Sequence, residues 1–148
     1  MELGIDPGRA KVGFVFVEGE SLLASGVVPK AFFGDFVRIV AAQSWRSLAP
    51  WLLEGDASSL EGRRIGVIVI GGGTGAEDVR AELERAGFSV VVVEEAFSTL
   101  EARSLYWKLH PPRGWRRIIP LSLLVPPRDL DDIAAWVLVL RFRASSWR

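Results

Sequence analysis

Residues 1–28, MELGIDPGRAKVGFVFVEGESLLASGVV, decide the fold. Apolar clusters at Leu3 to Ile5, Val12 to Val17 and Leu22 to Val28 are separated by Pro7 and Gly8 and then by Glu18, Gly19 and Glu20. Connections this short leave no room for a crossover, so the segment is expected to be a three-stranded antiparallel meander. From Phe33 the period changes. Phe33, Phe36, Val37, Val40, Ser44, Leu48, Trp51 and Leu52 recur at three and four, and Gly55 stands where a helix would stop, which predicts one long amphipathic helix. Ala57 to Arg63 reads as a polar connector, and the β-branched run Ile65 to Ile70, ending in Gly71, Gly72 and Gly73, as a buried strand. Glu77 and Asp78 open a second helix with Val79, Leu83 and Ala86 inside and Gly87 as its stop, and Ser89 to Val93 forms a second buried strand.

Ser98 and Glu101 have the spacing of a capping box, so a third helix is expected to run to about Leu109, where His110, Pro111 and Pro112 end it. Five of the eight prolines fall between Pro111 and Pro127, which predicts an irregular excursion. Asp129 is expected to cap a final helix whose Leu130, Ile133, Ala134, Val137 and Leu138 face inward. This element order implies a single α/β domain over residues 1–148, with a mixed five-stranded sheet: the meander plus two parallel strands, flanked by helices.

Composition narrows the chemistry. The 148 residues are 49% apolar and 24% charged, the size and balance of one globular domain. Eighteen basic residues against eighteen acidic ones leave no net charge, so any electrostatic site is local. No cysteine is present and His110 is the single histidine, which excludes a disulfide framework, a thiolate nucleophile and sulfur-ligated zinc. The first six residues are too short and charged for a signal peptide, and the longest apolar run, Ala134 to Leu140, is far below spanning length. A cytoplasmic protein with no membrane partner is expected.

Three acidic clusters stand at element ends. Asp6 closes the first strand before Pro7 and Gly8, with Lys11 and Gly13 in the same hairpin; Glu94 and Glu95 follow the second buried strand; Asp131 and Asp132, just after Asp129, open the last helix. Each has an ordinary explanation as a turn residue, a solvated strand end or a helix-dipole partner. Together, in a chain without cysteine, they suit magnesium or manganese, which take hard oxygen ligands, and a paired-ion site would hydrolyse a phosphodiester. A surface for the polyanion is also present. From Ala102 to Arg128 no residue is acidic, while Arg103, Lys108, Arg113, Arg116, Arg117 and Arg128 alternate with Tyr106, Trp107 and Trp115. Such a segment can neutralise phosphates and stack on unpaired bases, or else be a solvated loop or a protein-docking surface. Gly71, Gly73, Thr74 and Gly75, between a strand and a helix, form a candidate phosphate loop in a G-x-G-x-x-A frame. A dinucleotide site is disfavoured because that fingerprint usually opens the first β-α-β unit of a parallel sheet, and a meander comes first here.

Leu3-Gly4-Ile5-Asp6-Pro7-Gly8, Val93-Glu94-Glu95-Ala96-Phe97-Ser98-Thr99 and Asp131-Asp132-Ile133-Ala134-Ala135 resemble, in order and across nearly the whole chain, the three motifs of the YqgF (RuvX) family of RuvC-like resolvases, in the RNase H-like superfamily. The resemblance implies a mixed five-stranded sheet, one or two magnesium or manganese ions, and nuclease activity on branched DNA or on ribosomal RNA precursors. It makes Asp6, Glu95 and Asp131 the catalytic metal ligands, with Asp132 replacing or assisting Asp131. Lys11 matches a basic position of the family, and Ser98 and Thr99 its supporting hydroxyl pair. The chain departs from the family at Glu94, where aspartate is usual, at Ala96-Phe97, which lacks the usual arginine, and in its glycine run. That run is closer to the form in the YqgF-like domain of Tex-type transcription accessory proteins. The expected function is a metal-dependent nuclease on structured nucleic acid. The alternative is a catalytically silent nucleic-acid-binding or scaffold module, and the choice between monomer and homodimer stays open.

Overall fold

The structure, a computed structural model, describes residues 1–94 and 98–145, with Ser98 and Thr99 through their backbone alone. Strands β1 (Glu2–Asp6), β2 (Lys11–Glu18) and β3 (Ser21–Pro29) form the expected antiparallel meander. Helix α1 (Phe33–Ala42) leads to a fourth strand, β4 (Leu52–Gly55), which pairs antiparallel with β3 at the sheet edge. Strand β5 (Val67–Gly71) lies parallel to β1, helix α2 (Ala76–Arg85) crosses over, and β6 (Val90–Val93) lies parallel to β5. Helices α3 (Ser98–Leu109) and α4 (Asp131–Ser145) follow, with two short 3-10 helices, Gly114–Ile118 and Leu121–Leu123, between them. The sheet order is β4-β3-β2-β1-β5-β6.

Strand alternation sorts the apolar residues onto two faces. Leu3, Ile5, Phe14, Phe16, Ile68 and Ile70 pack with Phe33, Phe36 and Val40 of α1 and with Val79 and Leu83 of α2. Val15, Val17 and Val69 pack on the other face with Ile133, Val137 and Val139 of α4 and with Ala102 of α3. This face carries the candidate site.

Three expectations are corrected. The sheet has six strands rather than five, because the long helix expected from Phe33 to Leu52 breaks. Gln43 takes a left-handed backbone (φ 56°) that ends α1. Trp45–Trp51 is then a 3-10 helix containing Pro50, and its buried residues Trp45 and Leu48 are three apart, the repeat of a 3-10 turn and also a spacing common in α-helices. Gly55 ends β4, at φ 74°, and not a helix. At the last helix, the carbonyl of Leu130 accepts the amide of Ala134 at 2.8 Å, so Leu130 holds the capping position expected of Asp129. The excursion through 111–127 is irregular, as the prolines predict.

Candidate functional site

Two glycines seat α4 on the sheet. A methyl group on Gly4 would lie 2.6 Å from the carbonyl oxygen of Ala135, and one on Gly13 would lie 2.2 Å from that of Asp131. Both are inside any van der Waals contact, so only glycine lets the first turns of α4 rest on β1 and β2. Gly13 is also the partner of Asp6 across the β1–β2 ladder. Because Leu3 and Ile5 face the α1 side, alternation turns Asp6 toward α4. Asp6 and Asp131 thereby come to one cleft of about 580 Å³, whose walls also include Lys11, Arg103, Arg128 and Asp129.

Lys11 is the cation at its centre. Its ammonium nitrogen lies 3.0 Å from Asp129 Oδ2 and 3.0 Å from Asp131 Oδ2. The hydrogen bond to Asp129, followed by that to Asp131, holds the Lys11 pKa above its ordinary value. Asp131 Oδ2 is shielded from solvent, with Lys11 against it.

Asp132 sits elsewhere, which corrects its assignment as a metal ligand. It is 0% exposed; Ser25 Oγ donates to its Oδ2 at 2.6 Å, and Arg128 donates to both of its oxygens at 2.8 and 3.2 Å. Arg128 donates in turn to Glu54 Oε2 at 2.6 Å. Burial pulls the Arg128 pKa down, but the hydrogen bonds to Asp132 and Glu54 outweigh it and the net shift is upward. Arg128 thus engages two carboxylates and the Asp129 carbonyl of its own chain while it borders the cleft. Sequence reading missed Ser25 and Glu54. Ser25 carried a signal, a lone hydroxyl in an apolar strand; Glu54 carried none, since it was read as part of a helix.

The remaining basic residues divide by position. Arg103 lines the acidic cleft; Arg113 and Arg116 line a second hollow of about 290 Å³ with His110, and Pro127 belongs to both. Lys108 and Arg117 are exposed outside these walls. Trp115 is 68% exposed, with the Arg116 guanidinium 5.8 Å from its ring. Tyr106 and Trp107 are instead buried with Leu124 and serve packing, which corrects the reading of them as stacking residues.

Gly71 pairs with Val93 at the end of β5, the carbonyl of Gly73 accepts the Ala76 amide at 3.2 Å, and Gly75 (φ 85°) precedes α2. Gly75 faces the carbonyl of Gly8, so the turns after β1 and β5 meet, but neither Thr74 nor these glycines line the acidic cleft. Glu95 and the side chains of Ser98 and Thr99 lie outside the described residues. Among the described residues, no three of the histidine, aspartate and glutamate side chains group closely enough to hold a metal ion. None of the described helices is long and apolar enough to cross a membrane.

No family model matches the chain, and no curated protein matches it. Among solved structures, Thermus thermophilus RuvC is similar at 19% identity over 97% of this chain and 94% of that one, with a TM-score of 0.43. T. thermophilus RuvC in complex with a Holliday junction substrate is similar at 18% identity over 98% and 94% of the two chains, with a TM-score of 0.44. Within this chain the sheet is mixed, with β1 to β4 paired antiparallel and β1, β5 and β6 paired parallel.

Proposed function

We propose that this chain is a metal-dependent phosphodiesterase acting on structured nucleic acid, either branched DNA or a ribosomal RNA precursor. One observation carries the reading: Asp6 and Asp131, from the end of one strand and the start of one helix, line a single cleft with Arg103, and the acid-free segment borders it. The three sequence motifs that resemble the YqgF family support it. So does the nucleic-acid complex of the RuvC neighbour, as an indication of substrate class only.

The donor set fits a hard divalent cation. Both described carboxylates offer oxygen, no sulfur ligand competes, and the shielded oxygen of Asp131 already requires a positive neighbour. Asp6 and Asp131, together with Glu95, are the residues that would hold magnesium or manganese. When bound, such an ion supplies an acidified water and stabilises charge on the leaving oxygen. The protein's own groups do the rest. Arg103 on the cleft wall, and Arg113 and Arg116 beyond Pro127, bind backbone phosphates and align the strand. Lys11, shared between Asp129 and Asp131, offsets one of their two negative charges and so lessens the repulsion that a polyanion meets at the acidic floor.

The same lysine gives the rival reading its footing. A carboxylate already balanced by Lys11 is stable with no metal, as it would be in a silent nucleic-acid-binding or scaffold module. A labelled four-way junction, single-stranded DNA, duplex DNA and a structured precursor RNA, each with magnesium, manganese or chelator, separate the two. Cutting of one substrate that requires metal, and that Asp6→Asn abolishes while the melting temperature holds, is the expected result. Binding without cutting in every metal would leave the silent module as the function.

A further inference from the structure

The excursion through residues 111–127 leaves α3 at His110 and rejoins the body at Arg128, and one side chain receives both ends. Glu54, on the edge strand β4, takes His110 Nε2 on Oε1 at 2.7 Å and the Arg128 guanidinium on Oε2 at 2.6 Å. These partners lie 56 and 74 residues away in sequence, and the Glu54 side chain is only 14% exposed. Tyr106 fills the angle between them, its ring centre 4.9 Å from that of His110 and 5.5 Å from the Arg128 guanidinium carbon. Between the two ends the segment is lightly held. Leu124 is buried against Tyr106 and Trp107, but Ile118 is 86% exposed and Val125 74%.

We propose that Glu54 is a positioning residue: by clasping both roots of the segment it carries Arg113 and Arg116 beside the Asp6–Asp131 cleft. The consequence for nucleic acid rests on the function proposed above, whereas the clasp itself does not. Pinning two ends of a loop removes much of its conformational freedom, and a shielded carboxylate holds its cations more strongly than an exposed one. His110 faces Glu54, with Arg128 beyond it on the same carboxylate, the Tyr106 ring on one side, and Arg113 and Arg116 along the shared hollow. Glutamine at position 54 can keep hydrogen bonds to these partners but not the charge that faces Arg128.

Limited trypsin digestion, with cuts at Arg113, Arg116 and Arg117 located by mass spectrometry, tests this in wild type, Glu54→Ala and Glu54→Gln, alongside binding of a fluorescent four-way junction in chelator. Glu54→Ala is expected to be cut in the segment about tenfold faster, with other sites unchanged, and to bind the junction more weakly. Glu54→Gln keeps the size and the hydrogen-bonding capacity but loses the charge that faces Arg128, so its cutting rate and its junction binding should fall between those of wild type and Glu54→Ala. Segment cutting no faster than wild type in both variants overturns the clasp. A loosened segment with unchanged junction binding overturns the positioning role. If wild type binds no nucleic acid, the proposed function falls and the digestion still judges the clasp.

Discussion

Asp131 meets Lys11 at the cleft, while the next residue, Asp132, is buried against Ser25 and Arg128. Adjacent positions on a helix are turned about 100° apart, so one faces the opening and the other the sheet. Their substitutions should therefore part company. Asp132→Ala removes the fully buried member of the pair, leaving Arg128 to Glu54 and the Asp129 carbonyl, and Ser25 Oγ without its acceptor, and breaking a pair with a buried member costs about 3–5 kcal/mol. Asp131→Asn breaks a partly exposed pair worth about 1 kcal/mol or less. Urea denaturation should show the large loss in Asp132→Ala only, and a metal-dependent cleavage assay should lose activity in Asp131→Asn with the fold intact. Equal destabilisation of the two variants would refute this division.

At the scale of elements, the stretch after Gln43 governs how the sheet ends. A 3-10 helix from Trp45 to Trp51 delivers Leu52 to β3, and the added strand β4 carries Glu54 to the excursion. Trp45 anchors that helix: it is fully buried, its ring edge-on to Phe16 with centres 5.5 Å apart. Trp45→Ala should cost about 3–5 kcal/mol in urea or thermal unfolding, as a large aromatic removed from a core does. A cost near that of a surface substitution, below about 0.5 kcal/mol, would place Trp45 outside the core.

Across the whole molecule the formal charge is zero, yet its distribution is uneven. The acid-free stretch between Ala102 and Arg128 gathers positive charge beside a cleft with an acidic floor. Phosphates taken up by such a segment release counterions, so binding weakens with salt in proportion to the contacts made. Replacing Arg113, Arg116 and Arg117 together by alanine should lower the slope of log affinity against log salt by about 2 to 3 for duplex DNA. Fluorescence anisotropy between low and physiological salt measures it; an unchanged slope would mean that these arginines do not touch the backbone.

The sequence by itself determined the meander, the two parallel strands, α2, the extent of α3 and the irregular proline stretch, since each rests on local signals: alternation, turn residues, caps and missing amides. It also placed Asp6 and Asp131 at element ends, where ligands meet a sheet of this kind. Only the tertiary structure decided which acids face the cleft. Asp131 and Asp132 look alike in sequence, and the approach of α4 to Gly13 turns one outward and buries the other. The roles of Arg128, Tyr106 and Trp107 were decided in the same way. A basic or aromatic residue reads identically whether it meets solvent or a partner such as Glu54 brought from a distant strand. The added strand escaped notice because a three-residue apolar repeat fits a 3-10 helix as well as an α-helix, and only pairing with β3 distinguishes them.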